Sequence, residues 1–167
     1  MRSKNFLLYL TLFLSLNLLI SCDDDDDGQP EPTNTEFITS GEWKGDKVLL
    51  NSIDVALIPG VGENANTFQT LRLTVREDNT YTAVFQANGQ EQTYNGNWEF
   101  NADETKVSLE NLGEMNIERL TMDNMDLTTT INVDNLNLLG DIIGVDPRLI
   151  QAFTGGKPVN AELRFVK

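Results

Sequence analysis

Residues 71–100 read LRLTVREDNT YTAVFQANGQ EQTYNGNWEF, and their pattern decides the fold. Leu71, Leu73 and Val75 alternate with Arg72, Thr74 and Arg76. Successive side chains of a strand point to opposite faces, so a period of two gathers the apolar set on one side. Glu77-Asp78-Asn79 interrupts the pattern with turn residues. Tyr81, Ala83 and Phe85 resume it against Thr82, Val84 and Gln86. Asn88-Gly89 follows; both residues tolerate positive φ, which a two-residue hairpin needs. Tyr94, Gly96, Trp98 and Phe100 then share one face of a third strand.

The same reading extends in both directions. Upstream, a strand runs from Trp43 to about Asn51, and residues 53–67, with Pro59-Gly60 and Gly62, form a loop at a barrel mouth. Downstream, Asn101-Ala102-Asp103-Glu104 turns, Val107 and Leu109 mark a short strand, and residues 117–120 mark another. Asp123-Asn124 turns again, and Met125, Leu127, Thr129, Ile131 and Val133 alternate with polar neighbours. Ala161, Leu163 and Phe165 form the last strand against Glu162 and Arg164. Consecutive antiparallel pairing is the economical connection, and about eight such strands close an up-and-down antiparallel barrel without leaving sheet edges. The fold class is therefore all-β. One short helix is inserted before the last strand: Asp146 is its N-cap, Pro147 its first residue and Gly155-Gly156 its stop, over residues 146–153. Its apolar stripe of Leu149, Ile150 and Phe153 suits a plug in one barrel end or a mobile lid. Gly140-Asp141-Ile142-Ile143-Gly144 reads as a loop packed on the barrel.

The N-terminus sets the address. Arg2 and Lys4 precede an apolar run over residues 6–20, shorter than the roughly 20 residues of a membrane span. A secretory signal fits it. The run ends Leu19-Ile20-Ser21-Cys22, which resembles the bacterial lipoprotein lipobox at all four positions. The resemblance implies removal of residues 1–21 and attachment of lipid at Cys22. Two or three acyl chains, at about 0.8 kcal/mol per buried methylene, anchor a protein stably. Asp23 to Asp27 and the Pro- and Asn-containing stretch to Glu36 read as an acidic, disordered tether over residues 22–36. An acidic stretch in this place is similar to that of surface-exported lipoproteins of Bacteroidetes-type bacteria. That implies the outer membrane, at the cell surface or on its periplasmic face.

Gly41-Glu42-Trp43 at the start of the first strand resembles the Gly-x-Trp signature of lipocalins. Asp78-Asn79-Thr80-Tyr81, Gly96-Asn97-Trp98-Glu99-Phe100 and Asp103-Glu104-Thr105 are similar to the lipocalin-like domains of small Bacteroidetes lipoproteins. So is the stretch from Ile117-Glu118-Arg119-Leu120 to Met125-Asp126-Leu127. The likeness covers residues 39–133 and the final strand, and implies a lipocalin-like barrel over residues 37–167 in which the Trp closes one end. Arg119 then either packs on that Trp or points to solvent. The chain departs from classical lipocalins in ending at its last strand and in the insertion at 134–158.

Composition narrows the chemistry. The chain has 167 residues, 26 acidic against 12 basic, and a net charge of -14. A surface of that sign does not neutralise phosphates, so no nucleic acid is expected. With no histidine and one cysteine, His-based triads, His- or Cys-cluster metal sites and an internal disulfide are excluded. No catalytic residue, metal or cofactor is expected, and the protein is read as a non-enzyme. The candidate ligand-lining set is Trp43, Tyr81, Phe85, Tyr94, Trp98, Met125 and Leu127, although aromatic residues on one strand face are more often core. The functional expectation is a barrel that binds a small apolar or amphipathic ligand, held to the membrane by lipid on Cys22. The alternative is a solid barrel that contacts an envelope protein partner.

Overall fold

Alternation in the sequence becomes a closed sheet. The computed structural model describes residues 31–59, 66–87, 89–132 and 136–167, with the backbone alone for 136–139. Cys22, the lipobox, the acidic run, Gly60, Gly62, Asn88 and Val133 lie outside the described residues. The compact unit spans Pro32–Lys167.

Nine strands are present: β1 (Glu42–Leu50), β2 (Ile53–Asp54), β3 (Arg72–Val75), β4 (Thr80–Ala87), β5 (Gln90–Phe100), β6 (Lys106–Leu109), β7 (Gly113–Leu120), β8 (Asn124–Ile131) and β9 (Val159–Val166). Strand β2 only flanks β1. The other eight pair in chain order, all antiparallel, and β1 pairs with β9 to close the barrel. The expected eight-strand antiparallel barrel is thus what the chain forms, with one two-residue strand added. Register is set by the apolar alternation: β3, β4 and β9 bury every second residue, and a slip by one would turn that set outward. Strand β7 begins four residues before the expected start at Ile117. Its first residues, Gly113-Glu114-Met115-Asn116, are paired to β6 and bury only Met115, so the sequence shows little period there.

Turns at one pole repeat a motif. Between β3 and β4, Asp78 Oδ1 accepts from the Thr80 N–H at 3.0 Å and from the Thr80 hydroxyl at 2.6 Å. Between β5 and β6, Asp103 Oδ1 accepts from the Thr105 N–H at 3.3 Å and its hydroxyl at 2.7 Å. The residue between them, Asn79 or Glu104, has positive φ. These hydrogen bonds hold both carboxyls below their ordinary range. A carboxyl lowered on folding stabilises the fold above its unfolded-state pKa, and that stabilisation is lost as pH falls through the lower folded value. Thermal stability is therefore expected to fall on acidification below the usual carboxylate range, and to fall less in a double Thr80→Val, Thr105→Val variant. Calorimetric scans across the acid range check this; parallel profiles for the two proteins would refute the assignment.

Two expectations about helices are corrected. The tether reading ran to Glu36, yet Asn34–Thr39 is a helix, α1. Thr33 caps it, with the Thr33 hydroxyl accepting from the Glu36 N–H and the Glu36 carboxylate accepting from the Thr33 N–H. This reciprocal box starts helices, and Ile38 then buries itself against the barrel. The connection read as a loop over residues 53–67 is corrected too, since it carries β2, a 3-10 turn at Val55–Leu57 and the start of helix α2 (Asn66–Thr70); the second helix correction lies between β8 and β9. The Gly140–Gly144 stretch, read as a loop, belongs largely to helix α3 (Leu136–Ile143). Gly140 is there for close approach rather than for flexibility: a Cβ on it would meet Val145 O at 2.9 Å and the Pro147 ring. Helix α4 (Pro147–Thr154) begins and ends as expected, on Asp146 and Gly155. Despite this long insertion, Ile131 stands directly opposite Val159. No helix among the described residues is long and apolar enough to cross a membrane.

Candidate functional site

A barrel of this size offers an interior and two poles. Inward-facing side chains decide which can bind. The interior holds Trp43, Leu73, Tyr81, Phe85, Trp98, Met115, Met125, Leu127 and Phe165, all buried. Six of the seven candidate ligand-lining residues are thus packed core: Trp43, Tyr81, Phe85, Trp98, Met125 and Leu127. The seventh, Tyr94, is half-buried and stacks on Phe85 with ring centroids 5.8 Å apart. The Tyr81 hydroxyl donates to the Glu110 carbonyl, and burial pushes the phenol up from its ordinary pKa. That polar handle is spent on the wall. Inside lies an apolar void of about 20 Å³, with Leu73, Ala83, Met115, Leu127 and Leu163 among its lining and Ile142 of α3 on one side. It is the size of about one water and offers that water no polar partner, so it stays dry.

The pole at the start of β1 is closed by a latch. The Trp43 indole donates to the Ile38 carbonyl at 2.8 Å, which fixes α1 across the opening. The Lys167 ammonium lies 4.6 Å from the centre of the Trp43 ring and also donates to the Ser40 hydroxyl. Trp98 plays a parallel part beside it, donating to the Arg76 carbonyl at 2.8 Å. The cation on Trp43 is Lys167 and not Arg119, which corrects one of the two expectations for that arginine. Arg119 instead pairs across the strands with Asp126 at 2.9 Å, a carboxylate otherwise only 7% exposed. The signal for the Lys167 contact is non-local: the last residue of the chain meets the first strand.

The opposite pole carries the two long connections. Phe68 of α2, Ile142 and Ile143 of α3, Val145, and Ile150 of α4 are buried there and plug the mouth. The expected stripe of α4 divides: Ile150 faces inward while Leu149 and Phe153 remain exposed. Ile53 and Leu57, on the β1–β3 connection at the same pole, are exposed too. A shallow, mostly apolar groove of about 140 Å³ runs between α4 and the ends of β8 and β9, past Ile131, Ile150, Lys157 and Val159. Among the described residues no group of three or more His, Cys, Asp or Glu could hold a metal ion. Neither a scan of protein-family models nor a search of curated proteins finds a match to this chain.

Proposed function

We propose that the protein is a lipid-anchored solid barrel of the cell envelope, not an enzyme, that docks a protein partner through the pole carrying its exposed apolar residues. The filled interior carries this reading: a dry void of about 20 Å³ has no room for a ligand of even a few carbon atoms. The fold fits a lipocalin-like barrel, and in this reading the lipocalin-like scaffold has lost its calyx to Trp43, Phe85, Met115, Met125 and Phe165. The described chain starts beside α1 at the latched pole, and the exposed apolar residues Ile53, Leu57, Leu149 and Phe153 lie at the other. The binding of a small apolar or amphipathic ligand is the second reading. It draws on one observation, that the void is wholly apolar and is partly roofed by an inserted helix.

Three experiments separate these claims. Cys22→Ser is expected to shift the protein from the membrane fraction to a soluble or unprocessed form. Unchanged fractionation with retained acylation would end the anchor assignment. For the barrel, native mass spectrometry after exposure to an extract of the source cells is expected to return the bare protein mass. Crosslinking in intact cells is expected to recover one envelope protein. A retained small molecule would overturn the solid-barrel reading in favour of the ligand-binding one.

A further inference from the structure

We propose that the free edge of β5 is a docking site for one extended, basic segment of a partner protein, which joins the barrel as an additional strand. Strand β6 pairs with β5 only over Trp98–Phe100. At the end of that pairing the Glu110 N–H donates to the Asn97 carbonyl at 2.9 Å, and the Asn97 N–H donates to the Glu110 carboxylate at 3.0 Å. The chain then turns through residues 110–112 into β7. The rest of β5, from Gln90 to Gly96, pairs with β4 on one side only; among the described residues no strand lies on the other.

The direction of each backbone group follows from these bonds. Trp98 N–H donates toward β4, to the Asn79 carbonyl at 2.8 Å, whereas Asn97 bonds toward β6. Residues of an antiparallel strand alternate in this respect. Gln92, Tyr94 and Gly96 therefore serve the β4 ladder. Glu91, Thr93 and Asn95 aim their N–H and C=O groups at the vacant side. Natural edges are usually blunted by proline, lysine or a bulge. Residues 90–97 contain neither proline nor lysine, and their register with β4 is unbroken. An edge of this kind accepts a strand by main-chain hydrogen bonds, with alternate side chains setting specificity.

Charge selects the partner. No cation occurs between residues 90 and 99, and Glu91 and Glu99 are exposed, with the Glu110 carboxylate at the slot's end. The outer face of the slot is therefore amide-rich with an acidic excess, the one cation bonded beside it being Arg76, which donates to Thr82 across from Asn95, and its inner face offers half-buried Gln92 and Tyr94. A segment alternating lysine or arginine with apolar residues matches both faces. A second copy of this chain, with net charge -14, does not. The inference adds a partner chemistry to the interaction reading, but its test uses neither the anchor nor the cell.

Amide hydrogen exchange followed by NMR on the full chain tests it, with a synthetic peptide of alternating lysine and valine as the probe. In the free protein the amides of Glu91, Thr93 and Asn95 are expected to exchange fast, and those of Gln92, Tyr94 and Gly96 slowly. Millimolar peptide should slow the first three about tenfold or more, and a glutamate-for-lysine version should not. Thr93→Pro removes one outward donor and spares the β4 ladder, so it should abolish the effect. Glu91→Lys, which leaves the backbone untouched, should weaken it severalfold. Protection of Glu91, Thr93 and Asn95 in the free monomer would mean that the chain covers its own edge, and would overturn the proposal. So would unchanged exchange with the basic peptide, or protection that coincides with a doubled mass. In any of these cases a neighbour captured by crosslinking would still stand for the interaction reading.

Discussion

Gly45→Ala is expected to cost more than about 4 kcal/mol of stability, near the upper end of single substitutions. Gly45 lies within β1, where its N–H donates to the Leu71 carbonyl at 3.0 Å. A Cβ at this position would stand 1.9 Å from the Phe68 carbonyl oxygen and 2.9 Å from its carbon. Both are backbone atoms, so no rotamer change relieves the overlap. The backbone of α2 must retreat, and with it Phe68, whose ring packs edge-on to Phe165 at 5.2 Å. The strand register breaks next to this glycine, between Gly45 and Lys47, so β1 already bends there to admit α2. Thermal unfolding is expected to fall by about 10–20 °C. A midpoint within a few degrees of the parent would show that α2 moves freely and that the close approach is not structural.

Trp43→Ala is the second large effect, at about 3–5 kcal/mol. Trp43 is fully buried, donates to α1 through its indole N–H, and carries the Lys167 ammonium on its ring. Its loss empties the closed pole and releases α1 and Lys167 at once. Trp43→Phe separates the contributions: it keeps most of the apolar volume and removes the donor, leaving the Ile38 carbonyl without its partner for about 1–3 kcal/mol. Denaturant unfolding measures both. Fast amide exchange across residues 34–39 in the alanine variant, with slow exchange in β4 and β8, would show that the latch opens before the barrel does. Uniform exchange throughout would refute that order.

The barrel was legible because half-buried strands carry a period of two, and β3, β4, β8 and β9 keep it almost without break. Helices α1 and α3 were hidden for different reasons. In α1 the signal was present, since Thr33 and Glu36 stand three apart before Phe37 and Ile38, but it sits at the end of a polar stretch whose composition spoke for a tether. In α3 the glycine misled. Gly140 is set by contact with Val145 and Pro147 in the next turn, a tertiary demand with no local mark. Six of the seven candidate residues are buried, yet whether an inward face lines a cavity or fills it depends on volumes summed across the barrel. Met115, Met125 and Phe165, from three different strands, belong to one buried core with Phe85 and Trp98, and no single strand reveals that sum. The Arg119 and Lys167 contacts were illegible for the same reason: each depends on which strand ends meet.

Ile131 and Val159 face one another across β8 and β9 although a long connection separates them in the chain. A two-residue turn could join them with the strand register unaltered. The connection carrying α3 and α4 is therefore a cassette held by a fixed pair of posts. Sequence between those posts can lengthen, shorten or change its specificity without renegotiating the barrel, subject only to a replacement for the side chains of Ile142, Ile143 and Ile150 that stopper the mouth. Grafting at this position, rather than at the short hairpins, is where the scaffold has latitude to acquire new partners.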